Sequence, residues 1–528
     1  MEILLNTNYR YWFQSCNCYS IGFIFVKDKL LQGEQLITYL YQQIKQNSLC
    51  DALNNLNGSF AAILNYQQQY YLIVDSIRSY PLLYGFKGER YFIADSAEKL
   101  SSFFTGESFD KLAAAEFLSL GYLSGGRSLY NNIKHVEAGS YVIISEADSK
   151  VIVYHKNIYP KFVDENDKQL ILKSKALVEQ GFKRILKTCG DRQLVLPLSG
   201  GYDSRLLACL CKKFALKNVI CYTYGKRNSF EVEISRKVAE ILGYEWYFVE
   251  YTEQVWSEIC DSEYYKEYEI FAGNLNAVPI IQEFPAIYVL KKKNIIAEDA
   301  IVIPGHSGDF LGGSHLPIQP NVAPLNHFIY QKYFRLNRLK TQYANLILNN
   351  LKSSVGTKDY YSDMENYLNV FNDWGIKVRQ ANFIVNSVRL YEYFKLDWRL
   401  PLWDNEFVRF WNSIDWGKKY NSTLYHHFLF ECYFKCFYVD FKKEEQVYAG
   451  AYLYIRHLIS VFCHKHFPSL IRKISKKNKN SDINLFSVVS DFFYKKNELP
   501  EEIIEEQSKE VNAPLAIEYM NIIKNMDK

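Results

Sequence analysis

The segment that most constrains this chain is Leu194-Val195-Leu196-Pro197-Leu198-Ser199-Gly200-Gly201-Tyr202-Asp203-Ser204. A short, continuous apolar run of this kind suits a central parallel strand covered on both faces. It stops at Ser-Gly-Gly, and Leu206, Leu207, Leu210, Cys211 and Phe214 then recur at helical spacing. A strand, a glycine turn and a helix N-terminus are where open α/β sheets take their ligands. Two glycines let the backbone turn and approach an anion without a Cβ clash. Amide N–H groups of the loop and of the helix start converge on one spot, helped by the helix dipole. Ser199 and Ser204 add hydroxyl donors, and Asp203 can cap the helix or hold a divalent cation bound to phosphates. The layout predicts a polyphosphate pocket. No Gly-Lys-Ser/Thr follows the glycines, so it is not a Walker A loop. The plain alternative is a Gly-Gly turn that only joins strand to helix.

The elements around this loop alternate. A helix over 168–188 precedes it; Asn218 to Tyr224 reads as the next strand, Glu231 to Leu242 as a helix ending at Gly243, and Glu245 to Glu250 as another strand. A strand ending at Ile303 leads into Pro304-Gly305-His306-Ser307-Gly308-Asp309. That rhythm predicts a doubly wound parallel sheet. From Asn326 on, the chain reads as helical and aromatic-rich. The first part differs. Short strands at 19–26, 58–64, 70–75, 82–84, 91–94, 141–145 and 151–154 are separated by polar turns, with helices at 32–46 and 109–120, as in an α+β sandwich. The polar stretch from Pro160 to Lys168 is the natural boundary. The expected division is therefore a front domain at 1–160, a loop-bearing domain at 168–465, and a helical or partly flexible extension at 466–528.

Composition narrows the class. With 528 residues, 48% hydrophobic and 23% charged, the chain is long enough for two or three soluble domains. A net charge of +4 is too small to argue for nucleic acid. The basic run from Arg472 to Asn480 reads as a solvated loop. No apolar span is long enough to cross a bilayer, and Met1 to Tyr9 lacks the pattern of a secretory signal. The 11 cysteines are odd in number and irregularly placed, which reads as reduced, buried thiols of a cytoplasmic protein. Cys16-Asn17-Cys18 has no second pair at zinc spacing.

Several motifs, taken in order, resemble the asparagine synthetase family. Ser199 to Ser204 is similar to the SGGxDS pyrophosphate loop of ATP pyrophosphatases. Tyr224-Gly225-Lys226 through Gly243 looks like that family's nucleotide strand and following helix, and Gly305 to Gly313 like its SGEGxDELFGG loop. Asp397 to Asp404 resembles its EVRVPFLD segment. In the front part, Asp75 to Tyr84 resembles RDRxGxxPLYY, and Phe117 to Gly139 resembles the last helix and strand of an Ntn-hydrolase-like glutaminase domain.

The resemblance implies ATP and magnesium as cofactors. A substrate carboxylate attacks the α-phosphate to give an acyl-adenylate and pyrophosphate, and ammonia or an amine then displaces AMP. Fixed donors and a cation at the leaving phosphates lower such a barrier. By the same resemblance Asp203 and Asp309 bind the metal. Leu198, Ser199, Gly200, Gly201, Asp203, Ser204, Tyr224, Gly225, Pro304 and Gly305 hold the nucleotide, while His306, Asp397, Arg399 and Lys443 occupy catalytic positions. The partners implied are a small carboxylate, an ammonia or amine donor and a separate glutaminase, with no nucleic acid and no membrane span.

Two departures stand out. Glutamine-dependent members begin Met-Cys, with that Cys as nucleophile, whereas this chain begins Met1-Glu2 and Glu cannot attack an amide in the same way. The front domain is therefore expected to keep the fold without the reaction. His306 stands where the family has a catalytic Glu; it can serve as a base near neutral pH, bind an acidic substrate as a cation, or make only a structural hydrogen bond. The reading is an AMP-forming amide ligase. The alternatives are an intramolecular amide-forming synthetase, a sugar-acid amidotransferase, or a non-catalytic nucleotide-binding partner.

Overall fold

The computed structural model describes residues 1–101, 103–104, 109–146, 148–159, 162–317, 324–356, 364–441 and 482–526. Lys443, the basic run 472–480, Pro160 and part of the expected extension lie outside them.

The front part is built on two sheets. The larger runs, in spatial order, Ser149–Val153, Ser140–Ile144, Gln69–Val74, Asn57–Tyr66, Cys18–Val26 and Phe13–Ser15, with Lys29–Gln32 also pairing Cys18–Val26. Its pairings are antiparallel. Both faces are covered, which is why Cys18–Val26 reads as nearly continuous apolar sequence. Ile24, Ala62, Leu64 and Ile73 point to the helix Gly33–Lys45, which buries Leu36, Ile37, Leu40 and Ile44 against them. Phe23, Phe25, Ala61, Ile63, Leu72 and Val74 point the other way, toward the second sheet. That sheet orders Glu2–Leu4, Arg90–Ala94, Leu83–Lys87 and Ile133–His135, its first pair being parallel. Cys16 and Asn17, at φ 48° and 58°, form the two-residue turn between Phe13–Ser15 and Cys18–Val26. The described cysteines are all free.

The helix Asp167–Leu186 opens with a capping box, in which Asn166 accepts from the Gln169 amide and Gln169 returns the bond. It leads into a five-stranded, wholly parallel sheet: Glu245–Glu250, Val219–Gly225, Leu194–Pro197, Ile301–Val302, Asp397–Trp398. The first strand in sequence is the central one. The chain winds outward to one edge, returns, and winds to the other. The reversal falls between Leu194–Pro197 and Ile301–Val302, and open α/β sheets bind ligands beyond such a switch point. Val195, Leu196, Ile301 and Val302 are buried there, each side chain contributing about 1.5–3 kcal/mol of transfer free energy.

The chain's end is woven into the body rather than appended to it. Ile504–Gln507 pairs antiparallel with Asn337–Leu339, a small sheet with no clear sequence signal. The helix Asn512–Met526 packs Tyr519 against Phe117 of the front part at 5.6 Å, and the Leu275 amide donates to the Tyr519 hydroxyl at 2.8 Å. Among the described residues no helix is long and apolar enough to cross a membrane.

Candidate functional site

At the switch point Pro197 ends its strand, and the helix Tyr202–Lys213 starts after Gly201. The loop between them is shaped by its own serines. The Ser199 amide donates to Ser204 Oγ at 3.2 Å, the two hydroxyls lie 3.1 Å apart, and the Gly201 amide donates to Ser199 Oγ at 3.1 Å. Behind the loop, the buried Arg205 guanidinium donates to the carbonyls of Gly200 and Val439, both at 3.0 Å. Neither loop glycine is left-handed, so of the two reasons expected for them the turn is not the one that needs glycine. Close approach is what requires them: a Cβ on Gly200 would lie 3.0 Å from Glu231 Cα, and one on Gly201 3.1 Å from Ser199 Oγ.

The second wall comes from Ile301–Val302 and the loop after it. Gly305 presses so near the first loop that a Cβ there would sit 2.5 Å from the Ser204 nitrogen. Ser307, at φ 72°, turns the chain into the short helix Gly308–Leu311. This brings Asp309 to Asp203 across the switch point. The Asp309 amide donates to Asp203 Oδ2 at 2.9 Å, and the Tyr425 hydroxyl donates to Asp203 Oδ1 at 2.8 Å. The Asp309 carboxylate accepts from Ser314 Oγ at 2.9 Å. Burial, with the negative charge of Asp309 added, pushes the Asp203 carboxyl up to about 7.

Between the two walls lies a cleft of about 400 Å³. The structure brings together in it Ser199, Gly201, Asp203, Ser204, Tyr224, Pro304, Gly305, His306 and Asp309, all anticipated from sequence. Among its described lining residues none is Lys or Arg. Two carboxylates that line one cleft, with Asp309 raising the cost of ionising Asp203, suit a divalent cation. Mg²⁺ is commonly held by one or two carboxylates plus phosphate oxygens and water, so a larger ligand cluster is not required. Among the described residues there is no group of three His, Cys, Asp or Glu side chains placed to hold a metal.

Other expected residues lie elsewhere. Leu198 is fully buried and extends the sheet, its amide donating to the Tyr222 carbonyl at 2.8 Å. Gly200 faces Glu231, and Gly225 abuts Ile483. Asp397 is level with Ile301 and Leu194, at the end of the sheet opposite the loop and roughly 10 Å of strand away from it. There it pairs with Arg192 at 2.5 Å. Arg399 folds back to donate to Thr188 Oγ1 at 2.7 Å and lies over the Phe23 ring. Asp397 and Arg399 instead line a separate cleft of about 170 Å³ with Arg10, Tyr80 and Glu392, so their expected catalytic placement is corrected. A resemblance at the level of motif does not say toward which end of a strand a side chain turns.

His306 does line the main cleft, with Nε2 3.4 Å from Ser387 Oγ and a buried Nδ1 that has no hydrogen-bond partner among the described residues. Burial pushes the imidazole down to about 4, so it is neutral at pH 7. Burial thus works against the cationic role expected for it.

Sequence reasoning missed Tyr425, His426, Gln282 and Glu283, which also line the cleft, along with Pro197 and Tyr202 of the loop segment. Tyr425 and His426 sit in an aromatic-rich helical stretch, where single aromatic residues carry no signal. Glu283 precedes the helix Phe284–Lys292 and looks like an ordinary helix-start acid.

Residues 175–279 match a family model described as NAD synthase. No curated protein matches the sequence. Among solved structures, an NH3-dependent NAD synthetase from Campylobacter jejuni in complex with nitrate is 16% identical, over 38% of this chain and 97% of its own, with a TM-score of 0.20. A glutamine phosphoribosylpyrophosphate amidotransferase from B. subtilis, complexed with ADP and GMP, is 13% identical over 56% of this chain and 64% of its own, also at 0.20. An allosteric regulatory enzyme of purine biosynthesis is 11% identical, with 57% and 58% covered and the same score. Scores of 0.20 are too low for any of the three to bear on the site; the matched segment 175–279 begins in the helix before the phosphate loop and runs through the loop and the two strands that follow it.

Proposed function

We propose that the main cleft binds ATP and uses it to activate a carboxylate for amide formation, releasing AMP and pyrophosphate. One observation carries this reading. Asp203 and Asp309, 106 residues apart, meet beside the Ser199–Ser204 loop at the switch point of a parallel sheet. The Ser199 and Ser204 hydroxyls and the turn of the loop at Gly201 stand where the β- and γ-phosphates would sit. Asp203 and Asp309 would hold Mg²⁺, which when bound neutralises charge on the departing pyrophosphate. Tyr425 fixes the Asp203 carboxylate for that role. Tyr224, Pro304 and Gly305 would flank the nucleoside. The match of residues 175–279 to an NAD synthase model supports this general chemistry.

The finer reading is a ligase of the asparagine synthetase type whose acceptor side has changed. His306 in place of a carboxylate favours an acid other than aspartate. The front part, 1–160, is built on two sheets but has Glu2 where a Cys nucleophile would be needed; on this reading residues 168–465 carry the reaction, and 466–528 are an extension.

The test is release of AMP and pyrophosphate by the purified chain with ATP, magnesium and a panel of carboxylic acids, comparing ammonia with glutamine. Turnover with ammonia alone, abolished by Asp203→Asn, is expected. Full turnover in that variant, or equal rates with glutamine, contradicts the assignments.

A further inference from the structure

Glu283 is a cleft residue that the phosphate chemistry does not use. It projects between the strand Val219–Gly225 and the helix Arg389–Tyr393, and a phenol from each holds it. The Tyr222 hydroxyl donates to Oε1, and the single hydrogen of the Tyr391 hydroxyl is shared between the two oxygens, 3.2 and 3.1 Å away. A carboxylate offers about four lone-pair sites. The two phenols supply two hydrogens, that of Tyr391 shared between Oε1 and Oε2, so acceptor capacity remains, chiefly on Oε2. Gln282 and Glu283 line the cleft with His306, Tyr224 and Asp309. The carboxylate missing at position 306 is thus supplied to the same cleft from another element.

We propose that Glu283 binds the nitrogen nucleophile, ammonia or a primary amine, and accepts its proton during amide formation. This rests on the ligase reading above. In the step, the nitrogen lone pair attacks the acyl carbon of the activated acid and a C–N bond forms. The bond from that carbon to the AMP oxygen breaks, and its electron pair leaves with AMP. One N–H proton passes to Glu283 Oε2. The phenols of Tyr222 and Tyr391 hold the carboxylate in place, as a proton acceptor must be held. Of the titratable groups that share the cleft, burial keeps the Tyr224 and Tyr391 hydroxyls above their ordinary range and holds the His306 and His426 imidazoles below theirs, while the carboxylates Asp203 and Asp309 line its phosphate-loop side. Burial lifts Glu283 itself to about 8, so it gains proton affinity without a neighbouring charge.

The experiment uses the full chain with ATP and magnesium and, in turn, L-aspartate, L-glutamate and D-galacturonate. Acid-dependent ATP–pyrophosphate exchange reads activation, and ammonium-dependent AMP release reads amide formation. Glu283→Gln is expected to keep exchange within about twofold of wild type and to lose about 100-fold in kcat/KM for free ammonia, a usual effect of a general base. Glu283→Asp should restore part of the loss. The wild-type profile should bend near pH 8, and the Gln variant should lack the bend. Unchanged amide formation in Glu283→Gln overturns the proposal, as does parallel loss of exchange and amide formation in both variants. Failure of the underlying reading looks different: the wild type itself then shows no acid-dependent exchange with any of the three acids, and the proposal falls with it.

Discussion

Tyr425→Phe removes one atom from the site, the hydroxyl that donates to Asp203 Oδ1 at 2.8 Å. The ring stays, so packing against Trp411 and Phe428 is retained. A hydrogen bond to an ionised acceptor is worth about 1.5–3 kcal/mol. Since 1.36 kcal/mol is one pKa unit, the loss raises the Asp203 carboxyl by about 1–2 units above its present value of about 7. At pH 7 the ionised fraction then falls from about one half to between about one tenth and one hundredth. A divalent cation binds the ionised form, so apparent affinity for Mg²⁺ with ATP should drop about 5- to 50-fold at pH 7 and recover by pH 9–10. Calorimetric titration of magnesium with a non-hydrolysable ATP analogue, at pH 7 and pH 9.5, reads this. A loss equal at both values, or none, refutes the link between Tyr425, Asp203 and the metal.

The same raised carboxyl predicts a stability trade. Asp203 keeps its proton in the folded chain up to about 7 but loses it near 4 when unfolded, so the wild type loses stability as pH rises through that window. Asp203→Asn lacks this slope. Its Tm without nucleotide should match wild type at pH 4 and exceed it increasingly up to pH 7, and a constant difference by calorimetry contradicts the burial of that charge. Gly305→Ala places a methyl 2.5 Å from the Ser204 nitrogen, backbone against backbone. It should lower stability by about 1–3 kcal/mol in urea titrations and remove ATP-analogue binding, and unaltered binding shows that the two loops do not form one site.

The loop was legible because the apolar pattern changes there from continuous to helical within a few residues. The strand Glu245–Glu250 was read at its observed bounds, and the helix before the loop to within two residues. What local pattern does not carry is which residues meet. Asp203 and Asp309 were found by motif, but their contact depends on strand order. The loop glycines were expected to let the backbone turn and approach an anion; the crowding they relieve is against the chain's own Glu231 and Ser199, which only the packed structure reveals. Asp397 and Arg399 belong to a matching segment, yet strand register turns them to another cleft. Tyr425 and Tyr391 are two of 43 tyrosines, so their roles are invisible until the helices that bear them are packed. The final helix is long-range core, and its hydrophobic pattern named no partner.

Metal placement tests the central claim most directly. Crystals grown with manganese and a non-hydrolysable ATP analogue should give an anomalous peak within about 2–2.5 Å of carboxylate oxygens of both Asp203 and Asp309, with the β- and γ-phosphates against Ser199, Gly201 and Ser204. A nucleotide seated elsewhere, or manganese bound away from both aspartates, contradicts the account.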